Sequence, residues 1–139
     1  MSIDRTRLLP YACGALMVGN LIHGTDHLRR GLGLPLLGLT PEVFWGGGVI
    51  TVAAAVTLAL VVVGYRWAPQ VAMVVGFSIA VLVSAAHFAP PWGAFSNSYL
   101  ALSFDPLAWA AALAEVLGAL FAGIVGLQAV RHLRPSAAI

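Results

Sequence analysis

The sequence predicts an all-α integral membrane protein, a four-transmembrane-helix up-down bundle with both termini cytoplasmic. Three observations carry that expectation. Only 9% of the 139 residues are charged and 60% are hydrophobic, whereas soluble domains carry about 25% charged residues. Four apolar segments reach the roughly 20 residues that an α-helix needs to cross a bilayer core. The arginines then divide five to two, with Arg5, Arg7, Arg66, Arg131 and Arg134 at one end of the bundle and Arg29 and Arg30 at the other. Positive charge gathers on the cytoplasmic side of membrane proteins, which places both termini there.

The four segments run over 8–28, 42–64, 69–88 and 106–130, and together they make one domain spanning 1–139. The first follows Arg5 and Arg7, the pattern of a signal peptide, but its apolar run continues past any plausible cleavage site. It reads as a retained helix. Every segment begins with or soon meets a proline: Pro10, Pro41, Pro69 and Pro106. Proline suits the first helical turn, where its missing N–H has no partner to lose. Thr40 and Asp105 precede two of these prolines and are good N-cap residues. Tyr11, Trp45, Tyr65, Trp67, Trp92 and Tyr99 fall near helix ends, where an aromatic belt forms at the membrane interface.

The connections differ in character. The inner one, Tyr65 to Ala68, is long enough only to turn. The first outer loop, residues 31–39, is apolar and is expected to lie at the interface or fold over the bundle as a lid. The second, residues 89–104, carries Pro90, Pro91 and Trp92 followed by Ser96, Asn97 and Ser98. Loops of this length inside a compact domain are more often functional than idle. A short internal repeat runs through the chain. Segments 1 and 3 each end in histidine, pass through an outer loop, and restart at Thr40-Pro41 or Asp105-Pro106 with a tryptophan one turn on. An axis along the membrane normal would set His23 or His27 opposite His87.

The chemistry gathers around His23-Gly24-Thr25-Asp26-His27-Leu28-Arg29-Arg30. At ~100° per residue, Asn20, His23, His27 and Arg30 fall within about 80° of one another, with Gly19 and Asp26 beside them. Such a stripe cannot face lipid, where unpaired polar groups cost several kcal/mol. His87 shares its face with Gly76, Ala80 and Ser84, and Glu115 shares its own with Ala108, Ala111, Ala119, Ala122 and Gly126. Small residues let helices approach closely, so both faces are expected against neighbours. A rise of ~1.5 Å per residue predicts an upper layer of His27, His87 and Asp26 over a lower one of His23, Glu115 and Asn20. Gly46-Gly47-Gly48 lies at a similar depth and invites the close approach of a ligand or another backbone.

A metal ion or haem is the leading reading. His23, His27, His87 and Glu115 form a ligand set suited to Zn, Cu, Fe or Ni. His87 with one of the other two would equally serve bis-histidine haem ligation in a bundle. Asn20, Asp26 and Arg30 are the expected outer partners, Asp26 orienting an imidazole. The chain would then serve a redox or metal-handling membrane assembly. Two alternatives stand beside this. In one, Asp26 pairs with Arg29 or Arg30 and His23 bonds Glu115, making a structural network in a non-catalytic accessory subunit. In the other, Glu115 and His23 serve a proton-coupled small-solute carrier.

Other classes find less purchase. No nucleophile stands beside a base, so enzymatic activity has no visible apparatus. The net charge of +2 is too small for nucleic-acid binding. The single cysteine, Cys13, excludes an internal disulfide and a cysteine metal cage. Cys13, Met73 and His132 are expected to have no site role. The absence of lysine together with abundant alanine, glycine, valine and leucine fits a high-GC bacterium, hence its cytoplasmic membrane. Lipid and either further copies or a larger membrane complex are the expected partners.

Overall fold

The computed structural model describes residues 5–30, 41–93, 96–100 and 105–133. A short 3₁₀ turn at Arg5–Leu8 leads into four α-helices: α1 (Leu9–Arg29), α2 (Pro41–Val62), α3 (Ala68–His87) and α4 (Pro106–Leu133). The described residues contain no strand. Of the four helices, α3 and α4 are long and apolar enough to cross a membrane. The apolar outer loop at 31–39 and the cap at Thr40 lie outside the described residues.

Helix ends follow local chemistry. Asp105 caps α4, its Oδ1 accepting from the backbone N–H groups of Leu107 and Ala108 at 3.1 and 3.4 Å. The sequence extends the second segment to residue 64, but α2 stops at Val62. The reason is Gly64, whose φ of +68° is left-handed. There the Gly64 N–H reaches the Val61 carbonyl (3.1 Å) and the Tyr65 N–H reaches that of Leu60 (2.9 Å). This paired closure satisfies the last carbonyls of a helix around a glycine. It turns the chain directly into α3.

Helix α4 runs antiparallel to both α1 and α3, held by glycines that let backbone meet backbone. A Cβ on Gly19 would stand 2.6 Å from the Ala114 carbonyl oxygen, and one on Gly118 2.7 Å from that of Ala15. A Cβ on Gly76 would stand 2.5 Å from the Gly123 nitrogen, and one on Gly126 2.7 Å from the Pro69 oxygen. The small-residue faces of Gly76 and Glu115 are thus packed as their composition predicts. The glycine run 46–48 is not. Among the described residues a Cβ at any of the three would meet nothing within 4 Å, because α2 lies less closely on its neighbours α1 and α3.

α1 and α3 sit diagonally across the bundle and meet only sparsely. That diagonal is the one the internal repeat calls for. The interior is dominated by alanine, with Leu16 and Cys13 among the fully buried side chains. Large apolar side chains such as Val18, Ile22, Val52, Val81, Leu82, Leu117 and Ile124 point outward, while Asn20, His23, Asp26, His87 and Glu115 are buried. Polarity is inverted relative to a water-soluble bundle.

Candidate metal centre

The interior polar residues begin on α1. Asn20, His23 and Asp26 are buried and His27 partly so, as the helical spacing requires. Glu115, on the facing surface of α4, is only 2% exposed. Its Oε1 accepts from Asn20 Nδ2 at 2.8 Å, and its Oε2 is bonded to His23 Nδ1. Thr51 of α2 donates to Asn20 Oδ1, also at 2.8 Å. The carboxylate, both oxygens occupied, therefore joins α4 to α1, and Asn20 carries the connection on to α2.

Where α1 and α3 face each other across the diagonal, three imidazoles close the gap. Ring centroids are 4.6 Å apart for His23 and His27, 4.7 Å for His23 and His87, and 5.5 Å for His27 and His87. The histidines expected in two layers thus form one cluster, while Glu115 and Asn20 stay with His23 as the expected lower layer has them. One potential ligand atom from each lies within 4.8 Å of the others, and together they can hold a metal ion. Tetrahedral zinc with Zn–N bonds near 2.0–2.1 Å sets its ligands about 3.3 Å apart, a closure of side chains rather than of helices.

Ring orientation favours that use. His87 Nδ1 lies 3.0 Å from the Asn97 carbonyl oxygen. A carbonyl only accepts, so Nδ1 carries the proton and Nε2 of the neutral ring keeps its lone pair. His23, its Nδ1 bonded to the Glu115 carboxylate, likewise turns its Nε2 inward, toward His27 and the Tyr99 hydroxyl. His27 Nε2 meets His23 Nε2 at 3.0 Å. The Nδ1 of His27 has no hydrogen-bond partner among the described residues.

Two contributors come from the second outer loop. Asn97 N–H bonds the Ala86 carbonyl (3.0 Å) and Tyr99 N–H that of His87 (2.8 Å), so this loop caps the end of α3. The same fold aims the Asn97 carbonyl at His87 and lays the Tyr99 ring against it, 4.6 Å between centroids. Tyr99 is 5% exposed, so it belongs to the interior and not to an aromatic belt. Its hydroxyl accepts from Arg30 Nη2 at 3.1 Å and stands 3.4 Å from His23 Nε2. Burial pushes the Tyr99 phenol up to about 12, so at neutral pH it keeps its proton. Sequence periodicity could not find these two, since a loop has none.

Of its two expected roles, Asp26 takes the pairing with arginine and not the orienting of an imidazole. Arg29 donates twice to its Oδ1 (2.9 and 2.7 Å) and Arg30 Nε to its Oδ2 (2.8 Å). Arginines at i+3 and i+4 claim the carboxylate before a histidine can. Arg29 also reaches Asp105, joining α1 to the start of α4, and it holds the Asp105 carboxyl below the usual carboxylate range. Arg30 folds inward over Tyr99, its guanidinium 5.2 Å from the ring centre. Glu115 stands behind His23, and the group of converging ligand atoms consists of His23, His27 and His87.

Haem is not indicated. A porphyrin needs room for its whole plane between its two axial imidazoles, whereas these rings pack directly on one another with centroids 4.6–5.5 Å apart. Cys13 is buried among the apolar core residues and His132 is exposed at the far end of α4. Comparison of the chain with protein families, curated proteins and solved structures found no match.

Proposed function

We propose that this chain is a small multi-pass membrane protein that binds one transition-metal ion through His23, His27 and His87. The observation that carries the proposal is the pinning of two Nδ1 atoms, His23 by Glu115 and His87 by the Asn97 carbonyl. Metal-binding histidines almost always donate their other ring N–H to such a partner, which fixes the tautomer and raises ligand basicity. Imidazole nitrogen suits Zn, Cu, Fe and Ni, and zinc sites with three protein ligands keep a fourth position open. A role in a redox or metal-handling membrane assembly, with further copies or other subunits as partners, fits a site of this kind.

Membrane residence is supported by the inverted polarity. Valine and leucine cover the outside while Asn20, His23, Asp26, His87 and Glu115 are buried among the alanines inside, and α3 and α4 meet the length and hydropathy of spanning helices. The arginine distribution orients the bundle with both termini in the cytoplasm, in a bacterial cytoplasmic membrane, and the histidine site in the outer leaflet. Cysteines introduced at Ser2 and Ser136 in cells should then resist an impermeant thiol reagent. One at Gly93, exposed in the second outer loop, should label. The reverse pattern would place the site on the cytoplasmic side.

A structural network is the second reading, favoured by the bonds that tie α1, α2 and α4 together without any ion. Glu115→Gln separates the two. Its amide still fills the same space and can hydrogen-bond, so the bundle should persist. If Glu115 tunes a ligating imidazole, zinc affinity should fall about 10- to 100-fold, read by chelator competition in detergent. Unchanged affinity would remove Glu115 from the site's function. The proton-coupled carrier has no separate observation behind it.

A further inference from the structure

The three histidines are not equivalent, and their inequality bears on whether an ion stays or passes through. His23 and His87 are each 5% exposed and pinned at Nδ1 from another part of the chain. His27 is partly exposed as a residue, while its Nδ1 is buried and has no hydrogen-bond partner among the described residues. Within a helix an aromatic side chain leans back over the residues three and four positions earlier. For His27 those are Gly24 and His23. Over His23 the ring reaches the cluster, with its Nε2 3.0 Å from that of His23. Over Gly24 it meets no side chain, and even a Cβ there would find nothing within 4 Å among the described residues. The two positions correspond to the two χ1 wells open to such a side chain in a helix.

We infer that His27 is the exchangeable ligand of this centre, swinging between His23 and the space above Gly24 to admit and release the ion. The inference rests on the metal reading above and adds that the ion is cargo in transit, not a permanent structural part. Entry is then from the end of α1 that carries Arg29 and Arg30, since His27 is the accessible member of the three. His23 and His87 hold the ion while His27 opens and closes. No backbone movement is required, so the gate works inside a rigidly packed bundle.

The test fills the space above Gly24. Purified full-length Gly24→Leu, loaded with zinc, is expected to release the ion to a chelator about tenfold more slowly than the parent, with uptake slowed alike. Affinity should change less than about threefold, because uptake and release both pass through the open position and slow together. Gly24→Ala is the control: it stiffens the helix equally but blocks nothing, and should exchange like the parent. His27→Ala should still bind zinc through His23 and His87, more weakly and with faster release. Parent-like exchange in Gly24→Leu, or equal slowing in Gly24→Ala, would overturn the gate and leave the metal site standing. If the parent chain binds no zinc, the gate falls together with the site.

Discussion

His23→Gln should lose zinc binding by about a hundredfold or more while leaving the bundle folded. Binding energies of about 10–16 kcal/mol at structural zinc sites are spread over some four ligands, and every 1.4 kcal/mol is tenfold in affinity. The glutamine amide can still donate to Glu115, which otherwise loses one of its two buried partners. Alanine is the poorer probe: removing one member of a buried pair is strongly destabilising and would blur loss of fold with loss of ligand. Asp26→Asn makes the contrast. Asp26 contacts arginines and no imidazole, so its affinity should stay within about threefold of the parent, below the range of residues that orient a ligand. Equal effects at the two positions would mean that the polar interior acts as one structural network.

Gly76→Leu should destabilise the bundle by about 3 kcal/mol or more, at the upper end of overpacking penalties. The new Cβ would sit 2.5 Å from a backbone nitrogen and 2.6 Å from the Ala119 carbonyl oxygen. Nothing there can rotate away, so α3 must move off α4. Close approach of small residues is what drives helix association when lipid replaces water as solvent. Gly46→Leu is the matched control, since space beside Gly46 is open and leucine is the better helix former. Unfolding in mixed micelles, followed by helicity, reads both. Equal stability of the two variants would contradict the α3–α4 packing on which the position of His87 depends.

These two experiments touch different layers of what a reader of the bare sequence could have known. Helix positions were legible to within a few residues, because apolar length and proline placement are local signals. The pairing of His23 with Glu115 was legible as well, since both stripes must avoid lipid and have only the interior to meet in. For Asp26 the sequence offered two partners, an imidazole or the arginines at i+3 and i+4, and a helical wheel could not choose between them; the arginines win the carboxylate. The run 46–48 misled for a related reason: a glycine permits close approach, but the neighbouring helix decides whether it happens. Asn97 and Tyr99 were out of reach. One acts through a backbone carbonyl and the other arrives on a loop whose path depends on capping α3.

The metal claim itself can be tested most directly by elemental analysis of the purified chain. After equilibration with zinc or copper and removal of excess, the account predicts about one bound ion per chain, the number a single cluster of three imidazoles can hold. It also predicts that His87→Ala, correctly folded by circular dichroism, retains far less, because only the two α1 histidines of the cluster remain. No bound ion in the parent, or the same content in both proteins, would contradict it.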